Sequence, residues 1–585
     1  MNYNIKYILI FLISFSLLNT NLYAQKKRKK TKQTTVKKKV VKKQTKNEIP
    51  SPLMNNEDRS LESIPEKVVT ILSEFKPQLK NLSKIDFDLA SERKDTINLR
   101  LEYQVPSQNL SFQYRPISLV PRSFKLDTID FIKKNTNLKF GYGNYAHQYI
   151  ELQHNFKDVS NNDHSLKVYN ESITGFHPLQ KASTTGFNYL GSIQVSDKSH
   201  LLTNLYIDNT LRYRYGMVPE NVPMPMSNYK QNALLTGVSL AWLNNNSDNA
   251  SLHFEPKLVF ERFASVANSS SNFLLLKTPF SKALTHKTNF NVNVEYSLNQ
   301  YKKESIAGTT NHLLKIEPSL NFTKFGSEFK IGMSPMLLNG EFNLFPVVEF
   351  KKALKDTNVV ISVGWHANVN HARYANLATL NPWISAPNNL AISTQDTKFI
   401  DVAFAKGKRL NYGFAFSLND YTNLALFNLL PQQNIVNNGL YFASIFEKKT
   451  STIQFDANVR YQFSDKVLFS NKLTYLQFNA LEINAKPWGI IPLSLNSKLT
   501  WMPNKKWQIN GDLQYWSGAT MNNSLAMPVD LDNVMLMNAS LSYNLNKRLS
   551  FWLKGDNLLD KTYQRWLNYP SLGVQIIGGV VYSFK

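Results

Sequence analysis

The sequence predicts an all-β fold, a transmembrane antiparallel β-barrel of about 22 strands. Three observations carry this reading. The chain ends on a strand with an aromatic penultimate residue: Val580, Tyr582 and Phe584 share one face, and Val581, Ser583 and Lys585 share the other. The same alternation recurs through the preceding several hundred residues. Aromatics make up 12% of the chain, with 27 Tyr and 36 Phe, yet the mean hydropathy is −0.32. Barrel strands combine these traits, because aromatics gather at the lipid interface and polar side chains fill the lumen.

The segments follow in order. Residues 1–24 read as a secretory signal peptide: Lys6 supplies charge, Tyr7 to Leu18 is apolar, and Leu22-Tyr23-Ala24 offers a cleavage site before Gln25. The apolar run is shorter than the roughly 20 residues a spanning helix needs. Residues 25–46 form a basic arm, with twelve Lys or Arg from Lys26 to Lys46 and no acid, against a net charge of +25 for the whole chain. With almost nothing to bury, the arm is expected to be disordered. It reads as a solvated linker or as a contact for anionic lipid or another acidic envelope surface, and nucleic acid is not an expected partner for a secreted chain. Residues 47–136 carry seven prolines between Pro50 and Pro121, with short strand-like pieces such as Val68-Val69-Thr70-Ile71. They are expected to form a partial plug or a periplasmic ledge.

The barrel is expected over residues 137–585. Ile453, Phe455, Ala457, Val459, Tyr461 and Phe463 share one face of a strand, and Gln454, Asp456, Asn458, Arg460 and Gln462 share the other. Phe290 to Leu298, Trp507 to Tyr515 and Met535 to Leu545 repeat the pattern, which gives each strand one oily and one wet face. Short polar turns at Ser196-Asp197-Lys198, Ser464-Asp465-Lys466, Asn504-Lys505-Lys506 and Asn546-Lys547-Arg548 read as periplasmic hairpins. Long connections at Gly216 to Tyr229, Ala375 to Thr397, Leu429 to Gly439 and Ser517 to Asn533 read as extracellular or folded inward. Counting gives 22 or 23 strands, and single-chain bacterial barrels favour the even number; if several short segments are loops, the count falls to 14–18. Pro256, Pro318 and Pro346 are expected at strand ends or bulges.

Chemistry-bearing residues are sparse. The chain has no cysteine, so it has neither disulfides nor a thiolate site. His366 and His371, five apart on one strand, would face opposite sides and are poorly spaced for a shared metal. No Gly-x-Ser-x-Gly element or phosphate loop occurs. No enzyme activity, cofactor or metal is expected. Asp208, Arg212, Arg214, Glu295, Asp456, Arg460 and Asp512 fall on polar faces. Their default role is to pair inside the barrel; the alternative is that some line a solute path and set its selectivity.

Near the C-terminus, Asn557-Leu558-Leu559-Asp560-Lys561-Thr562-Tyr563, then Tyr569-Pro570 and the closing strand, resembles the end of TonB-dependent receptors. The resemblance covers about 35 residues, and the signal peptide and Gly141-Tyr142-Gly143-Asn144-Tyr145 look like receptor-like proteins of the Bacteroidetes type. It implies the cell outer membrane of a Gram-negative organism, and transport or binding of a small-molecule solute. Family receptors place a large plug and a TonB box before the barrel, whereas here only residues 47–136 are available, with a weak box-like run at Glu66-Lys67-Val68-Val69-Thr70-Ile71. A barrel this wide needs that segment or in-folded loops to obstruct it. The alternative function is a non-transporting scaffold that holds periplasmic or surface protein partners.

Overall fold

A computed structural model describes residues 135–584, apart from 177–178, 197, 217–225, 245–251, 266–268, 305, 355–357, 372, 408, 431–440 and 524–526. The leader, the basic arm, the box-like run and almost all of the 47–136 segment lie outside the described residues.

Twenty-two antiparallel strands, from Asn135–Gly143 to Gln575–Phe584, follow one another around the wall in chain order. The last strand pairs with Leu549–Asp556 on one side and with the first strand on the other, in the register Thr136↔Phe584 to Gly143↔Ile577. The sheet is therefore closed and has no free edge, the condition for crossing lipid with strands. Val580, Tyr582 and Phe584 lie on this closing strand. Among the described residues no helix is long and apolar enough to cross a membrane.

Proline explains why counting from sequence wavers between 22 and 23. His253–Phe254 and Lys257–Ser265 pair with Ser269–Thr285 in one register and form a single strand broken at Glu255-Pro256. The other two prolines depart from expectation, since both sit in mid-strand. Pro318 faces Val292 on one side, while the ladder to Ser327–Leu338 skips from Lys315↔Met336 to Ser319↔Gly332. Pro346 pairs with Met333, while the ladder to Val359–Asn370 begins only at Val348↔Trp365. A residue without an N–H fits where the ladder to one neighbour is interrupted.

The alternation sorts side chains by solvent. Phe290, Phe416, Leu418, Met535, Met537 and Phe551 are exposed on the outer face, while Asn291, Asp456, Asn419, Asn538 and Ser540 are buried on the inner face. The apolar belt can be measured on the strand Ser269–Thr285. Its upper polar row runs Arg262↔Asn272↔Gln300 and its lower row contains Lys282↔Phe290. Ten residues at about 3.3 Å each, tilted by about 40–45°, give a belt of about 25 Å, the height expected of an outer-membrane barrel.

The two rims differ. The turns at 286–287, 325–326, 465–466 and 505–506 are tight and lie on the side of both described termini. The strand ends that flank the connections 214–229, 371–392, 430–441, 482–492, 518–533 and 557–574 all lie at the opposite rim, which is therefore the extracellular one.

At the closing seam, Gly141↔Gly579↔Trp552 form one inward row. A Cβ on Gly579 would fall on the Phe140 carbonyl, and one on Gly141 would meet the Trp552 ring. The missing side chains let the indole lie across the seam, edge-on to Tyr149 at 6.3 Å, with Lys139 Nζ 4.7 Å above it.

Candidate functional site

The largest apolar cluster of the described residues lies across the extracellular mouth, not in the wall. Connection 371–392 folds inward there, with a short helix at Tyr374–Leu380. Its Tyr374, Leu377, Ile384, Ala386 and Leu390 are buried against Phe263, Tyr301, Phe427, Phe442, Met521, Trp566 and Tyr569, which come from strands and loops around the ring. The segment looks like a loop in sequence but has a core's composition, and burial of that apolar surface folds it inward.

Polar contacts stitch this cap to the wall. Arg373 Nη1 donates to Glu261 Oε1 at 2.8 Å, and Tyr206 donates to Glu261 Oε2 at 2.9 Å. His371 lies 3.3 Å from Glu295 Oε1 through Nε2 and 3.1 Å from Ser297 Oγ through Nδ1. Tyr301 donates to the Pro387 carbonyl at 2.6 Å, and Lys303 donates to the Ala386 carbonyl at 3.0 Å. Asn311 holds the Leu390 carbonyl at 2.8 Å. Backbone bonds Ser385 N→Phe442 O and Phe442 N→Trp383 O join the cap to the strand Phe442–Ser464.

The connection 557–574 closes the cap from the other side. Tyr569 stacks on Trp383 at 4.3 Å, and Trp566 meets Phe427 at 5.2 Å. The receptor-like motif serves this loop. Asn557 takes a positive φ, and its side chain donates to the Lys561 and Leu572 carbonyls while accepting from Lys561 N. Asp560, also at positive φ, accepts from Val574 N. Asparagine and aspartate tolerate that backbone region while bonding locally.

Two arginines enter the cap. The Arg214 guanidinium sits 4.1 Å over the Tyr441 ring, and that of Arg565 sits 4.3 Å over Trp566 while donating to the Gly489 carbonyl at 2.7 Å. Burial lowers both guanidinium pKa values, but arginine stays charged at neutral pH. Burial also raises the phenol of Tyr215 to about 12, and those of Tyr374 and Tyr569 rise for the same reason.

Several inward charges of the wall below are paired locally. Glu317 lies 2.8 Å from Lys315 and 3.2 Å from Lys330, Glu151 2.8 Å from Lys167, and Lys554 3.1 Å from Asp556. The residues singled out in the sequence distribute as follows. Asp208 accepts from Tyr169 at 2.6 Å, and Glu295 lies 3.5 Å from Lys277 as well as against His371. Asp456 accepts from Gln454 and Thr474, each at 2.6 Å, and Asp512 accepts from Gln514 at 2.6 Å. Arg212 faces inward at the extracellular end of its strand, in register with Gln231, whereas Arg214 lies one residue past that strand's end and belongs to the cap. Arg460 is exposed near the periplasmic end, in register with Asn411 and Ser470, with no ion pair among the described residues. They are spread around the wall and form no single cluster. Glu295, Arg212 and Arg214 reach the cap, Arg212 through Tyr215.

The two histidines correct the expectation of opposite faces. The strand Val359–Asn370 ends before His371, so strand alternation does not govern that side chain and it turns inward to Glu295. His366 faces inward by register with Thr397. Sequence reasoning missed Arg373, Glu261, Trp383 and Lys303. The available signal was the run of apolar residues inside the connection after Asn370.

No protein-family model and no curated protein matches this chain. Solved structures do. The FrpB iron transporter from Neisseria meningitidis superposes with a TM-score of 0.60 at 10% identity, covering 77% of this chain and 81% of that one. A ferric enterobactin receptor (PfeA) variant from Pseudomonas aeruginosa gives 0.55 at 12%, covering 77% and 80%. The siderophore receptor PirA from Pseudomonas aeruginosa gives 0.54 at 13%, covering 77% and 80%. The chain has the fold of outer-membrane receptor barrels, and these neighbours are receptors and transporters rather than enzymes.

Proposed function

We propose that this outer-membrane barrel takes up a solute that binds at the extracellular cap, and that connection 371–392 must move for it to pass. The observation that carries the reading is the apolar core across the mouth, built from an in-folded connection and the 557–574 loop. A scaffold barrel needs a closed mouth but not a separately folded, polar-stitched element inside it. The neighbours are named for iron, ferric enterobactin and siderophores. A metal chelate, held by the Arg214 and Arg565 guanidiniums and the surrounding rings, is the solute class to try first.

Planar-bilayer conductance tests the reading on four forms: the whole chain, the chain lacking 25–134, a chain with 374–390 replaced by a short Gly-Ser turn, and the combination. The expected result is a silent whole chain and open pores in the combination. A barrel that stays silent in all four forms yet copurifies with fixed partners supports the scaffold and removes the uptake reading.

A further inference from the structure

The outer surface of the barrel is electrically lopsided. Across the six neighbouring strands from Ser199–Tyr213 to Ile306–Lys324, the outward face carries no Asp or Glu. It carries Lys230, Arg262 and Lys302 toward the extracellular rim and Lys282 and Lys324 toward the periplasmic one. Elsewhere the outward charges are sparser: Lys181, Lys352 and Lys406 lie one to a strand, and Lys398 lies 3.3 Å from Asp396 and 2.9 Å from Asp420.

Position matters more than number. Arg262 is exposed and lies in one row with Asn272 and Gln300, and exposed Lys302 is one row farther out. The row directly beneath is Phe260↔Leu274↔Leu298, the top of the apolar belt. Glu261, next to Arg262 in the chain, faces the lumen, where it accepts from Arg373 and Tyr206, and Glu304 lies in the turn above. Cations that border the hydrocarbon on a face without carboxylates, with amide side chains beside them, sit at the depth of lipid headgroups. A soluble acidic partner would instead meet the loops. Guanidinium binds phosphate in a bidentate way, and basic residues near an anionic surface attract it.

We propose that this face, centred on Arg262 and Lys302, is a docking surface for phosphate-bearing lipid headgroups of the outer leaflet. The proposal rests on the outer-membrane reading above. It orients the barrel laterally, with one side carrying a shell of anionic lipid.

The test uses the full chain in detergent micelles, titrated with phosphatidylglycerol or phosphatidylcholine and read by native mass spectrometry. R262Q/K302Q should bind phosphatidylglycerol about 25-fold more weakly than the parent, with phosphatidylcholine unchanged. K448Q/K449Q, which removes the same charge from another side, should behave as the parent. Equal weakening in both doubles, or no change in R262Q/K302Q, overturns the site. Loss of a copurifying acidic protein at unchanged lipid affinity overturns it in favour of a protein partner. Heat-modifiable gel migration checks that each form is a barrel. If the parent lacks it, the membrane reading fails instead of this one.

Discussion

Phe442→Ala isolates the strength of the cap. The ring is fully buried against Trp566 at 5.5 Å and Tyr569 at 6.2 Å. The backbone bonds of Phe442 with Trp383 and Ser385 survive the substitution, so only side-chain packing is removed. Truncating a buried Phe costs about 3–5 kcal/mol. If the cap opens as a unit, the ring is buried only when it is closed, and the whole cost falls on the closed state. At 1.4 kcal/mol per decade the open fraction rises roughly 100- to 4,000-fold. The chain has no cysteine, so Ile384→Cys, at a fully buried cap position, gives a single reporter thiol. The rate at which a maleimide dye labels that thiol in native membranes follows the open fraction. The F442A form should label at least 100-fold faster than the otherwise identical parent. A rate within threefold, in a barrel that still shows heat-modifiable migration, would refute the idea that this aromatic core holds the mouth shut.

Other outcomes follow from the same geometry. Gly141→Ala drives a methyl into the Trp552 ring and should cost about 1–3 kcal/mol, lowering the heat-modification midpoint; G141A/W552A should recover most of it, and additive losses would refute the seam contact. Glu447 accepts from the Glu482, Ile483 and Asn484 backbone N–H groups at 2.6–2.9 Å. Glu447→Ala should therefore free the 482–492 connection for protease cleavage, and an unchanged digestion pattern would argue against that anchor. The buried cap phenols favour their neutral forms, so the cap keeps its full stability below about pH 10, the ordinary tyrosine value. Stability is lost as pH climbs toward about 12, where Tyr215 ionises. Iodide quenching of tryptophan fluorescence should rise over that interval, and a flat profile would count against phenol burial in the cap.

The wall was legible in the sequence because strand alternation has a fixed period. Ile453 to Phe463 and Phe290 to Leu298 show their oily faces directly, and turns such as Asn504-Lys505-Lys506 mark where pairing reverses. The cap was not legible. Tyr374, Leu377, Trp383 and Ile384 pack through contacts with residues far away in sequence, and no period announces them. The motif near Asn557 was recognised as a resemblance, but its role as a loop clasp needed the bonds to Lys561, Leu572 and Val574. Pro318 and Pro346 depart from a strand-end expectation because a strand has two neighbours, and sequence does not say which ladder is interrupted.

The join between Thr136 and Phe584 also constrains how the barrel is made. Bringing two such distant residues together from a random chain costs about 5 kcal/mol in loop entropy alone, and the same chain can zip hairpin by hairpin through turns of a few residues at far lower cost. Zipping of that kind would leave a curved ribbon with two bare margins, sealed when Gln575–Phe584 meets Asn135–Gly143. Such a margin would offer unpaired backbone to any passing strand. A chain stalled or trimmed before Gln575 would be left permanently adhesive, so truncation from this end should yield aggregates rather than a smaller pore.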